Sequence, residues 1–197
     1  MLIHIQDLKR KNYLDTLQIQ EDLRNQVLKN DSDNHLILVE HDHVYTLGKN
    51  ANSTNVLNKS CEIIQTQRGG DVTYHGPGQL VAYPIINLKK KKIGVKSYVE
   101  MIEKLISNIL FDYGLEPHVP MKETGVWIED RKIASIGIHV SRGVTMHGLA
   151  INVNTDLTYF NNIISCGIAG VKMTSLDKEL GKKIRMNDIK KLSLIHI

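Results

Sequence analysis

Cysteine is scarce in this chain, with only Cys61 and Cys166 in 197 residues. Two thiols cannot build the disulfide framework of a small secreted domain. With no CxxC spacing or zinc-like partner, they fit a reducing compartment, the cytoplasm, better than a secreted setting. Long apolar runs are missing too: no window approaches the roughly 18 residues of a membrane span. The opening MLIHIQDLKRKNYLD has no signal-peptide apolar stretch. The expectation is a cytoplasmic chain without a membrane partner, or an organellar one if a targeting peptide was removed. No repeat, low-complexity tract or Pro/Ser-rich linker divides the sequence. At 42% hydrophobic it can bury one core, so 1–197 reads as a single domain.

Aromatic residues make up only 5% of the chain and do not interleave with the lysine clusters at 89–92 and from Lys178 to Lys191. No helix-turn-helix or zinc pattern accompanies those clusters, which argues against nucleic acid as a partner. A net charge of +4 and a pI near 8.9 suit acidic protein partners instead. The nucleotide signature GxxxxGK[ST] is absent, and the HxH pair His41/His43 has no third ligand in view, so neither a phosphate cradle nor a metal is indicated.

What is present reads as an α+β fold with a mixed, mostly antiparallel sheet packed by helices. Residues 13–29 suit a surface helix and HLILVE (35–40) a buried strand. Ser97 with Glu100 forms a capping-box pattern, Tyr98, Ile102, Leu105, Ile106, Ile109 and Tyr113 share one helical face, and Gly114 can close the helix. LVAYPIINL (80–88) reads as a strand whose Pro84 calls for an edge position or a bulge. The stretch from Gly125 to Asn154 predicts a three-stranded antiparallel meander turning at Glu129–Asp130 and Ser141–Gly143. Residues 155–173 look loop-like, and Asn187 is placed to cap a last helix.

Two segments could carry chemistry. RGGDVTYHGPGQ (68–79) sets four glycines, Arg68 and His75 between strands, a composition that lets backbone approach a ligand while Arg68 and His75 donate hydrogen bonds. A structural tight turn explains the glycines as well, and Pro77 removes one N–H that a phosphate cradle would use. Cys166 lies in SCGIAG, a Gly-containing loop whose amides could converge on an oxyanion. A free thiol titrates near about 8.5, so a nucleophile there needs a cation or base beside it. His75 and Lys132 are the candidates, Lys132 because it opens an apolar strand. A buried thiol and a lysine facing water are the plain alternatives, and Cys61 reads as filler.

The blocks HVYTLGKNA (43–51), RGGDVTYHGPGQLVAYPIINL, KIASIGIHV, HGLAINVN, SCGI and MTSL, in this order, resemble the octanoyltransferase family, also called lipoate-protein ligase B, over most of the chain. The resemblance implies a fold like the biotin and lipoate ligase catalytic domain. It also implies transfer of an octanoyl group from octanoyl-acyl carrier protein to a lysine of lipoyl domains, those of 2-oxoacid dehydrogenases and the glycine cleavage H protein. The implied route is ping-pong through a cysteine thioester, without ATP, cofactor or metal. Cys166 is then the acyl-accepting nucleophile and Lys132 the paired lysine that favours its thiolate. Arg68, Gly69, Gly70, Asp71, Val72, Thr73, Tyr74, His75, Ser135, Ile136, Gly137, Gly148, Leu149 and Ala150 form the acyl-substrate pocket, with backbone mattering more than side chain at 71 and 72. The rival readings are an ATP-dependent lipoate or biotin protein ligase on the same fold and a non-catalytic acyl-carrier-binding protein.

Overall fold

The structure, a computed structural model, describes residues 3–29, 34–121 and 123–196. The chain runs β1 (Ile3–Arg10), α1 (Tyr13–Lys29), β2 (Asn34–Glu40), β3 (Val44–Leu47), β4 (Glu62–Gln65), β5 (Thr73–His75) and β6 (Gln79–Ile85). It continues through α2 (Leu88–Lys91), α3 (Val95–Asp112), β7 (Pro117–His118), β8 (Val126–Ile128), β9 (Arg131–Ser141), β10 (Val144–Asn152), β11 (Lys172–Met173), α4 (Leu176–Leu180) and α5 (Met186–His196). Among the described residues the large sheet has the order β1-β2-β6-β10-β9-β8-β7, with β11 added to β9, and a small sheet pairs β4-β3-β5. Within the large sheet β1–β2 and β9–β11 are parallel and the other pairs antiparallel. This is the expected α+β class with a mixed, mostly antiparallel sheet.

Alternation along the central strands explains the layering. Leu36, Leu38, Leu80, Ala82 and Ile151 face α3 and α5, where Ile102, Ile106, Ile109 and Ile189 complete one core. Ile37, Val39, Val81, Tyr83 and Ala150 point the other way, onto Leu23 and Val27 of α1. The helix over 13–29 therefore covers a sheet face rather than floating on the surface. The meander β8-β9-β10 turns where the sequence predicted, with positive φ at Glu129, Arg142 and Gly143.

Four local expectations are corrected. Pro84 sits in the interior strand β6, paired on one side with Leu36 of β2. It is tolerated there because the β6–β10 ladder stops at Ala82/Leu149, and β10 bends away at His147, φ 57°. Ser97 is not a cap: α3 begins at Val95 with Gly94 before it, and the Tyr98 N–H already reaches the Gly94 carbonyl. Asn187 lies one residue inside α5, which starts at Met186. The basic run near the C-terminus is not all solvent-facing, since Lys190 is buried and pairs with Asp7 at 2.9 Å.

Candidate active site

The loop between β10 and β11 presents Cys166 in a left-handed conformation, φ 58° and ψ 15°, followed by Gly167 at φ 71°. A non-glycine residue held there costs on the order of 1–3 kcal/mol and persists only where its surroundings over-determine it. Here the Cys166 N–H donates to the Val72 carbonyl at 2.8 Å, Gly167 to Ile164 at 3.1 Å and Ile168 to Ser165 at 3.1 Å. These bonds fix the sulfur's direction. They also commit the N–H groups of Cys166, Gly167 and Ile168 to the loop itself. The Asp71 carboxylate steadies the same corner, accepting from the Val72 N–H at 2.6 Å and from Asn55 Nδ2 at 2.9 Å. A β-carbon on Gly167 would lie 2.9 Å from Asp71 Oδ2, so at position 71 the side chain matters as well as the backbone.

Lys132, near the start of β9, is 2% exposed, not a lysine facing water. Its Nζ donates to Cys166 Sγ at 3.4 Å and to the Thr124 carbonyl at 3.0 Å, and it lies 4.5 Å from the Trp127 ring centroid. A buried ammonium is costly unless acceptors or counter-charge meet it. The Cys166 sulfur, a carbonyl dipole and an indole face are a coherent set of partners. β11 fixes the backbone of the pair: Met173 pairs with Lys132, and the Thr174 N–H donates to the Lys132 carbonyl at 2.9 Å.

Sulfur and ammonium open into a cavity of about 270 Å³ between the large sheet and the glycine-rich loop. Arg68, Gly70, Asp71, Thr73, His75, Ser135, Ile136, Gly137, Gly148, Leu149 and Ala150 all line it. Three residues of the expected set do not. Gly69 instead ties the loop to β9 through its N–H and the Ile138 carbonyl, 2.9 Å. Val72 and Tyr74 alternate to the far side of β5, packing with Tyr45, Phe160 and Ile163. Sequence reasoning missed Tyr13, Val81, Tyr83, Glu123, Thr124, His147 and Ile168, which also line the cavity. Val81 and Tyr83, His147 and Ile168 lie inside the quoted blocks RGGDVTYHGPGQLVAYPIINL, HGLAINVN and SCGI, whereas Tyr13, Glu123 and Thr124 carried no local signal.

His75 is not the sulfur's partner. Its Nδ1 donates to Gln79 Oε1 at 2.7 Å, and Gln79 in turn donates to Asn152 Oδ1 at 2.9 Å. It belongs to a buried cluster with Tyr13, His41, Tyr83 and His147. His41 points Nδ1 at the Lys11 carbonyl and Nε2 at the Tyr83 hydroxyl, both at 2.8 Å, while His43 turns away to stack on Tyr159. Burial lowers His75 and His147 to about 3 and His41 to about 4, so this wall is neutral at physiological pH. Arg68 supplies the buried cation, its Nε donating to Thr46 Oγ1 at 3.1 Å and Nη1 to the Gly69 carbonyl at 2.9 Å. Burial pulls its guanidinium below its ordinary value, while the negative forms of Tyr13 and Cys166 act in the other direction. Arg68 is thus a second positive group felt at the sulfur.

A half-buried cysteine 3.4 Å from a buried lysine, both lining one cavity, is an arrangement that can support nucleophilic chemistry. The comparisons agree at the level of family: residues 12–197 match the lipoyl protein ligase A/B catalytic domain, and the chain belongs to that family. Within it, similar curated relatives include octanoyltransferases. That of Flavobacterium johnsoniae is 41% identical over 99% of this chain and 94% of its own length, and that of Solibacter usitatus 47% identical over 83% and 78%. The chain is accordingly an enzyme of the acyltransferase class. Among solved structures, the bipartite lipoate protein ligase of Thermoplasma acidophilum superposes with a TM-score of 0.76 at 14% identity, covering 100% of this chain and 82% of that one. The biotin protein ligase of Aquifex aeolicus gives 0.57 at 13%, covering 98% and 66%. At those identities the likeness concerns the fold. No helix among the described residues is long and apolar enough to cross a membrane.

Proposed function

We propose that this chain, as one catalytic domain over 1–197, moves an octanoyl group from octanoyl-acyl carrier protein to a lysine of a lipoyl domain. The route is ping-pong through a thioester on Cys166, without ATP. The observation that carries this reading is the 3.4 Å contact between Lys132 Nζ and Cys166 Sγ in the shared cavity. The Lys132 ammonium favours the thiolate, which attacks the carrier thioester carbon. As the carrier sulfur leaves it takes a proton from Lys132, and the acyl group stays on Cys166. Lys132, now neutral, takes a proton from the acceptor amine as that amine attacks. An amide forms, and the Cys166 thiolate departs beside a restored ammonium.

The oxyanion donors on this reading are the main-chain N–H groups of Gly70 and Asp71. Both residues line the cavity, and neither N–H has a hydrogen-bond partner among the described residues. Val81, Ile136, Leu149, Ala150 and Ile168 supply apolar wall for the acyl chain. The acceptors are lipoyl domains such as those of 2-oxoacid dehydrogenases and the glycine cleavage H protein. Exposed lysines such as Lys172 and Lys178 suit an acidic carrier, and the location is cytoplasmic.

The test is to incubate the protein with octanoyl-acyl carrier protein and record intact mass, then add a lipoyl domain without ATP. The parent gains one octanoyl group and passes it on, whereas Cys166→Ala gains none. A normal adduct on Cys166→Ala overturns the reading. Strict ATP dependence with free lipoate favours the ligase alternative, and binding without any adduct favours a non-catalytic carrier-binding protein.

A further inference from the structure

Glu103 is an acid on the inner side of α3, 8% exposed, next to the apolar positions Ile102 and Ile106. A carboxyl group buried in such surroundings is expensive unless a donor reaches it. Its Oε1 accepts from the Gly125 main-chain N–H at 3.1 Å. The carbonyl of the same peptide unit, that of Thr124, accepts from Lys132 Nζ at 3.0 Å. A peptide group is planar and trans, so its N–H and C=O point in opposite directions. Fixing one end fixes the other.

We propose that Glu103 is a positioning residue for Lys132, acting through the Thr124–Gly125 peptide. The chain of contacts runs from carboxyl to N–H, from C=O to ammonium, and from ammonium to the Cys166 sulfur. Hydrogen bonds in series polarise one another, so an acid at the far end makes the Thr124 carbonyl a better acceptor as well as a better-aimed one. Without that acid the peptide is free to rotate its carbonyl away, and Lys132 loses the group that holds it against the sulfur. The arrangement explains why an acid occupies a helix face otherwise given to the core. It also explains why the residue after Thr124 is a glycine, at φ 130°, passing directly under the lysine stem.

The proposal rests on the reading of Cys166 and Lys132 as a pair, and the test separates the two. Iodoacetamide labelling of Cys166, followed by peptide mass at pH 7 and pH 10, is compared in the parent, Glu103→Met, Glu103→Gln, Lys132→Ala and Glu103→Met/Lys132→Ala. Glu103→Met keeps bulk and removes the acceptor, so labelling at pH 7 falls about tenfold and the gap closes at pH 10, where thiols ionise unaided. Glu103→Gln still accepts from Gly125 and recovers most of the loss. The double variant labels no more slowly than Lys132→Ala, because both changes act on one interaction. Parental labelling in a folded Glu103→Met beside slow labelling in Lys132→Ala overturns the proposal and leaves the pair intact. Parental labelling in Lys132→Ala overturns both. Should Glu103→Met not fold, the Gly125 amide proton of the parent decides by NMR. It shifts when Cys166 is alkylated if the relay exists, and an indifferent proton overturns it.

Discussion

Gly125 lies so close beneath Lys132 that a β-carbon there would stand 2.8 Å from Cε and 2.6 Å from the Ala134 carbonyl oxygen. Real side chains do not pack at such distances, and the backbone at φ 130° is itself one that only glycine adopts with ease. Gly125→Ala therefore displaces the lysine stem or the strand edge. Acyl-enzyme formation, read by intact mass, should fall at least tenfold, with a stability loss of about 1–3 kcal/mol in urea.

The nucleophile's own backbone offers a second measurement. Cys166 sits at φ 58°, so removing its side chain as alanine leaves the left-handed strain in place, whereas glycine releases it. Both variants lose the acyl-enzyme, yet Cys166→Gly should be more stable than Cys166→Ala by about 0.5–1 kcal/mol once glycine's extra unfolded-state freedom is set against the relief. Equal stability would show that the loop relaxes without the sulfur.

Three buried histidines make stability depend on acid. His41, His75 and His147 titrate near 6.5 in the unfolded chain but at about 4, 3 and 3 when folded, because burial disfavours the imidazolium. Between those values the unfolded chain binds the extra protons. The contribution is thus complete above pH 6.5 and is lost as pH falls, down to about 4 for His41 and about 3 for His75 and His147, each histidine adding up to about 1.4 kcal/mol per pH unit. Melting temperature recorded from pH 7.5 to 4.5 should be flat at first and then drop. A Tm unchanged down to pH 4.5 would contradict neutral burial of the cluster.

Asp71 holds the floor of the nucleophile's corner with hydrogen bonds from Val72 and Asn55. Replacing it with alanine leaves the Asn55 side-chain amide without its Asp71 acceptor and frees the segment whose Val72 carbonyl receives the Cys166 N–H. Asp71→Ala should cost about 1–2 kcal/mol and slow acyl-enzyme formation several-fold, with Asn55→Ala reproducing most of the effect. Independent, additive losses in the double variant would argue against a shared role.

Strand and helix periodicity made much of this architecture readable in advance. The inward face of α3, the apolar alternation of β2 and the turn residues of the β8–β10 meander each carry a local signal that packing then obeys. Pro84 misled because a strand's place in a sheet depends on where its neighbours stop, and the kink that accommodates it is at His147, more than sixty residues on. Cys166 and Lys132 could be named, but their 3.4 Å separation is a product of β11 returning beside β9, which no local pattern encodes. The same holds for Tyr13 and Thr124, ordinary residues in sequence that become cavity wall only through the fold. Glu103 was invisible for a related reason: one charge on an amphipathic helix looks like boundary until the strap it holds is seen.

The two-residue ladder between β11 and β9 has a consequence for how this site tolerates change. Lys132 and the exit from the nucleophile loop are neighbours in one sheet, so their spacing is inherited from the roughly 4.8 Å gap between paired strands and not from the length of the connection. Within residues 155–164 the exposed positions Asp156, Thr158 and Asn161 can then be recomposed, while the buried Thr155, Phe160 and Ile163 and the anchors at Val72, Ile164 and Thr174 must survive. The outer rim of the segment can vary while the spacing of the two reacting side chains stays set by the sheet.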